Sequence, residues 1–123
     1  MGRLMLFTIT GKIKPYVRMT QRSKFANPQA IQYLASKEAI AWQFQAAMAA
    51  DVHAFWAAEV PLKVDIVFNV PNRKNTCDID NLIKAIFDAG NGIVWPDDRW
   101  IDAVSATRKI GNEHITIVEV HYV

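Results

Sequence analysis

Three aspartates and a lysine, spaced along one short stretch, are the residues of this chain best suited to chemistry. Between Asp78 and Asp98 the sequence reads D-I-D-N-L-I-K-A-I-F-D-A-G-N-G-I-V-W-P-D-D. Advancing ~100° per residue from Asp78 sets Asp80, Asn81, Lys84 and Asp88 at about 200°, 300°, 240° and 280°, a single polar arc roughly 100° wide. Leu82, Ile83, Ile86 and Phe87 fall on the opposite side, so residues 78–89 are predicted to form an amphipathic helix with that side on a core. Asp78 stands where a carboxylate can cap free backbone N–H groups. Gly90 and Gly92 end the helix, Ile93-Val94-Trp95 is a short apolar run, and Pro96 opens a turn carrying Asp97 and Asp98. Two carboxylates at a helix start and a third on a later turn are hard oxygen ligands of the kind that Mg²⁺ or Mn²⁺ prefers.

Each piece also has an ordinary reading. Aspartate at a helix cap and in the first turn answers the helix dipole. Lys84 lies four residues from both Asp80 and Asp88, the spacing of exposed ion pairs worth ~0.2–0.5 kcal/mol each. Adjacent aspartates after a proline are common in turns. The ordinary readings do not predict the whole set together, next to a loop rich in cations.

Asp78-x-Asp80-Asn81-Leu82-x-Lys84-Ala85-x-Phe87-Asp88, followed by Gly92-Ile93-Val94-Trp95-x-Asp97-Asp98, resembles the signature of the RusA-like Holliday junction resolvases. The motif spans about a fifth of the chain, is far more specific than a bare D-x-D, and is flanked by a similar order of elements over nearly the whole length. The resemblance implies a small, dimeric, Mg²⁺-dependent, structure-selective endonuclease. It assigns metal binding to Asp78, Asp80 and Asp98 and a role at the phosphate to Lys84.

The elements that must position these residues can be read from pattern. The 123 residues are expected to form one domain, large enough to bury a core without staples. There is no apolar run of transmembrane length. The apolar start is too short for a signal peptide, and Leu6 stands where a myristoylation site needs Ser or Thr. One cysteine, Cys77, excludes an internal disulfide and a multi-cysteine zinc site and reads as a small buried residue. A reducing, cytoplasmic location is expected. The net charge of +2 hides an asymmetry: residues 1–37 hold seven cations and no acid, whereas six of the twelve acids lie between Asp78 and Asp102. A basic arm attracts a phosphate backbone, and an acidic pocket holds the cations that chemistry on that backbone needs.

Arg3–Thr10 reads as a strand apolar on both faces, which predicts a central or well-covered place in the sheet. Residues 11–27 form a loop with Lys12, Lys14, Arg18, Arg22 and Lys24, interleaved with Tyr16 and Phe25. This is a solvated basic loop or a DNA-contacting arm. RusA-like proteins carry a basic, proline-containing segment here, and Lys14-Pro15-x-x-Arg18 resembles it only in part. Asn27-Pro28 is a helix start, and the helix should run to about Ala50 with Leu34, Ala41 and Met48 on its buried stripe. Residues 51–59 either extend it or form a second short helix. Leu62–Val70 alternates apolar and polar as a strand with one core face. Arg73 and Lys74 sit in the turn just before Asp78, where they would grip a scissile strand. Residues 101–110 and 114–123 read as strands joined at Gly111-Asn112 as a hairpin. His114 and His121 fall at opposite ends of the last strand and His53 is isolated, so no histidine metal pair is expected. Trp95 and Trp100 are expected to fix the Asp97-Asp98 turn by packing. The order strand, basic loop, helix, strand, helix, strand, strand predicts an α+β domain with a single mixed sheet covered by two main helices.

Function follows as an expectation. Asp78, Asp80 and Asp98 would hold Mg²⁺, with Mn²⁺ as a substitute, while Lys84 meets charge developing on the phosphate. Asn81 would orient a ligand or water, with Asp88 and Asp97 supporting the ligands. The expected partner is branched DNA, a four-way junction cut by paired symmetric nicks in a homodimer, with no membrane and no small-molecule cofactor. Two alternatives stand beside this. One is a non-cleaving junction-binding module of the same fold, which the intact Asp78, Asp80, Lys84 and Asp98 disfavour. The other is a metal enzyme acting on nucleotides, which the lack of a glycine-rich phosphate loop disfavours.

Overall fold

Alternating apolar residues create the sheet's buried face, and a computed structural model shows how the strands use it. It describes all residues except 1–2, 19, 21–26, 51–58 and 75–76, and leaves the side chains of residues 3 and 4 undescribed. Arg22, Lys24, Phe25, His53 and nearly all of the segment after the long helix therefore lie outside the described residues. The elements are β1 (Arg3–Thr10), α1 (Pro28–Ala50), β2 (Leu62–Val70), α2 (Ile79–Gly90), a single 3₁₀ turn (Asp98–Trp100), β3 (Ile101–Ile110) and β4 (Ile115–Tyr122).

One four-stranded mixed sheet has the order β1-β4-β2-β3. Strand β4 runs antiparallel to both β1 and β2, while β2 and β3 are parallel. A parallel pair needs a long crossover, and α2 supplies it between β2 and β3. Along β2, Leu62, Val64, Ile66 and Phe68 are buried while Lys63 is exposed. Phe7 and Ile9 from β1 and Val118 and Val120 from β4 join them on the face that the helices cover. Leu82, Ala85, Ile86 and Ala89 of α2 and Trp95 complete that core. Each fully buried large side chain contributes about 1.5–3 kcal/mol. Phe44 of α1 links the layers, edge-on to Phe7 at 4.9 Å and to Trp95 at 6.4 Å between ring centroids.

Three expectations need correction. Strand β1 is at an edge, and Leu6 on its outer face is 43% exposed, because both helices lie on the other side of the sheet. The apolar outer face therefore does not mark a central strand. Strands β3 and β4 do not form a hairpin. The chain reverses at Gly111-Asn112, but β2 already occupies the place beside β3, so β4 pairs on β2's far side. The connection must step across two strand spacings, about 10 Å, and it is pinned to the end of β2 by Gly111 N–H donating to the Val70 carbonyl at 2.8 Å. On α1 the sevenfold repeat holds, but the seam is one residue earlier. Tyr33 and Ile40 are buried with Phe44, whereas Leu34 and Met48 are only half-buried. Asn27 caps α1, its Oδ1 accepting from Gln29 N–H at 2.8 Å, with Pro28 in the first helical position.

Candidate active site

Helix α2 begins just after Asp78 and carries Asp80 in its first turn. The polar arc emerges as its periodicity requires: Asp78, Asp80 and Lys84 are exposed, Asn81 and Asp88 half-buried, and Leu82, Ala85 and Ile86 buried beneath. Asp78 occupies the cap position without a side-chain capping bond, which leaves its carboxylate available to a ligand.

The turn bearing Asp97 and Asp98 is set by Trp95. The indole is fully buried, stands edge-on to Phe87 at 5.9 Å and donates from Nε1 to the Phe87 carbonyl at 3.2 Å. Gly90 is indispensable to this packing, since a Cβ there would lie 2.5 Å from Trp95 Cζ2. Asp97 caps the following 3₁₀ turn, its Oδ1 accepting from Arg99 N–H at 3.0 Å. That bond holds the Asp97 carboxyl below its usual range, and a hydrogen bond from Asp98 adds to it. Burial pushes Asp98 the other way, helped by Asp97 and by the charge of Asp88. Trp100 contributes differently, with the Arg99 guanidinium 5.6 Å from its ring centroid.

The basic loop lies against the same helix. Tyr16 N–H donates to the Asn81 carbonyl at 3.0 Å, and Lys14 N–H donates to Ser36 Oγ on α1 at 3.1 Å. Lys84 Nζ stands 5.5 Å from the centre of the Tyr16 ring, which in turn meets Tyr33 edge-on at 5.5 Å. Tyr33, 1% exposed, donates its hydroxyl to Asp88 Oδ2 at 2.6 Å. Burial and then the Asp88 carboxylate hold the Tyr33 phenol far above its ordinary range. Lys12, Arg18, Arg73 and Lys74 are exposed.

The Asp78, Asp80 and Asp98 oxygens do not gather within 4.8 Å as a set; among the described residues, Asp65, Glu119 and His121 do. These lie on the open face of the sheet. His121 Nε2 is 3.1 Å from Asp65 Oδ2 and 3.3 Å from Glu119 Oε2, and Ser105 Oγ donates to Asp65 Oδ1 at 2.6 Å. Glu119 and His121 stand two apart on β4, but Asp65 comes from the neighbouring β2, which no local spacing announces.

Arg108 is the residue near the site that sequence reading misses. It is one of two adjacent cations in strand β3, remote in sequence from Asp78, yet its Nη2 donates to the Cys77 carbonyl. Arg73, Cys77, Asp78, Ile79 and Arg108 line a cleft of about 370 Å³ at the start of α2.

The class of the protein, a DNA-cutting hydrolase, follows from a comparison with known families. A family model described as endodeoxyribonuclease RusA matches residues 7–121, so the chain belongs to the RusA endodeoxyribonuclease family. That family's activity is Holliday junction resolution, and RusA resolvases depend on divalent metal. No curated protein matches the chain. Among the described residues, no helix is long and apolar enough to cross a membrane.

Proposed function

We propose that the protein is a Mg²⁺-dependent, structure-selective endonuclease that resolves four-way DNA junctions by paired symmetric nicks, as a homodimer in the cytoplasm. The observation that supports this reading is the acidic start of α2, where Asp78 stands exposed without a capping bond and Asp80 is exposed two residues on, in the first turn. Like charges this close favour a divalent cation. The donor set fits Mg²⁺ or Mn²⁺, because Asp78, Asp80 and Asp98 offer hard oxygens and no cysteine or histidine stands in the arc.

Asp78, Asp80 and Asp98 would hold the metal. A divalent ion there supplies Lewis acidity, lowering the pKa of an attacking water and offsetting charge on the phosphate. Lys84, one turn beyond Asp80, donates to a nonbridging or leaving oxygen as negative charge develops. Tyr16 braces the lysine from below, and Asn81 orients a water or ligand beside it. Asp88 is fixed by the Tyr33 hydroxyl, and Asp97 by Arg99 N–H, so both support Asp98 without competing for substrate. Lys12, Lys14, Arg18, Arg22, Lys24, Arg73 and Lys74 take the backbone of the junction arms. Two symmetric cuts need two sites, hence two subunits, and one domain per chain suffices.

Separating binding from cutting tests the assignment. Asp80→Asn is expected to bind a four-way junction about as tightly as the wild type while nicking it at least ~10²-fold more slowly. Full cutting by Asp80→Asn would remove this helix from the chemistry. Tight binding with no cutting by the wild type in Mg²⁺ or Mn²⁺ would establish the non-cleaving module instead.

A further inference from the structure

A second cavity, of about 300 Å³, adjoins the Asp78 cleft and shares Cys77 and Arg108 with it. The strand register builds its floor. Thr116 of β4, Phe68 of β2 and Arg108 of β3 are successive partners across the sheet, on the face beneath the helices. A hydroxyl, an aromatic ring and a guanidinium therefore stand in a row. Ile13 and Leu82 line the same cavity and add apolar surface, while Lys12, Lys74 and Asn72 lie at its exposed rim.

Three features of this cavity exceed the needs of packing. Thr116 is buried, at 3% exposure, and its hydroxyl-bearing side chain lines this space. Arg108 Nε is shielded from solvent and has no hydrogen-bond partner among the described residues. No lining residue is acidic, although acids crowd the neighbouring site. The volume is at the lower end of the ~300–1,000 Å³ of small-molecule pockets, which suits one heteroaromatic ring.

We propose that this cavity receives an unpaired nucleobase of the DNA strand, the one adjoining the phosphate at the Asp78 cleft. Phe68 offers the apolar surface, and Thr116 and Arg108 offer polar groups to the base edge. Lys12 and Lys74 offset the backbone charge at the rim. A duplex base cannot enter without leaving its stack, and bases at a branch point are the least costly to extrude. The cavity thereby links selection of branched DNA to the position of the cut. The proposal rests on the junction-cutting role given above.

The test places 2-aminopurine, whose fluorescence rises on unstacking, at each nucleotide flanking the nick mapped with wild-type protein and Mg²⁺. The labelled junction is saturated with Asp80→Asn protein, or with wild type in EDTA. The expected result is a rise of roughly threefold or more at one flank only. The rise is expected to be lost in Asn72→Trp, which places a bulky ring at the exposed rim, and weakened in Thr116→Val. An abasic site at that flank should slow wild-type cutting about tenfold, and one at the other flank should not. No rise at either flank of a saturated, cuttable junction overturns the proposal. Equal rises at both flanks, or a rise that survives Asn72→Trp, also overturn it. Failure of the wild type to nick any junction would instead overturn the cutting role.

Discussion

Lys84 is the cation on the acidic face of α2, and its place over the Tyr16 ring holds it beside Asp80 and Asp88. If it meets charge that develops only in the transition state, Lys84→Met should lower the cutting rate about 10²–10³-fold. Junction affinity, read by anisotropy in EDTA, should change far less; equal losses in both would make Lys84 a binding residue. Tyr33 supports a second prediction. Its phenol is raised in the folded state, so its contribution is complete below the unfolded pKa near ~10 and is lost as pH climbs above it. Tyr33→Phe should cost about 1–2 kcal/mol near neutrality by removing the bond to Asp88. The variant's denaturant midpoint should also fall less than the wild type's between about pH 9 and pH 11. That Asp80, Lys84 and Asp88 share one face of α2 was legible in the sequence, because helical periodicity aligns them. Tyr33 and Arg108 were not, because each reaches the site from another element.

Trp95 connects the helix to the turn, and it does so through a glycine. Gly90→Ala places a methyl group 2.5 Å from the fully buried indole. Such overpacking costs about 1–3 kcal/mol and must shift Trp95 or α2. Thermal melting should show the loss, and cutting should fall further than stability explains, because the Asp97-Asp98 turn follows Trp95. An unchanged melting temperature would mean that the helix end gives way freely. All six regular elements were legible from apolar period and from caps such as Asn27-Pro28. Their neighbours were less so. Alternation along residues 101–110 and 115–122 identifies strands, yet nothing in Gly111-Asn112 states that the reversed chain must pass β2 before pairing. Strand β1 misleads similarly, since Leu6 makes its open face look covered.

At the scale of the molecule, cations of the N-terminal loop and of the turn before α2 meet at one rim, represented by Lys12 and Lys74. If both neutralise phosphate, changing both to glutamine should reduce the slope of log affinity against log salt by about 1–2. An unchanged slope would place the DNA elsewhere. Composition made the basic arm visible, but only the sheet order β1-β4-β2-β3 brings it beside the turn at Arg73-Lys74, and that order was not legible. The homodimer is tested by sedimentation equilibrium, where a mass twice the 13.9 kDa of the chain is expected. The most direct measurement is strand-mapped cleavage of a synthetic four-way junction beside a linear duplex of the same sequence, in Mg²⁺ and in EDTA. The predicted result is a pair of symmetry-related nicks on the junction alone, abolished by EDTA. Equal cutting of the duplex, or nicks that persist in EDTA, would contradict it.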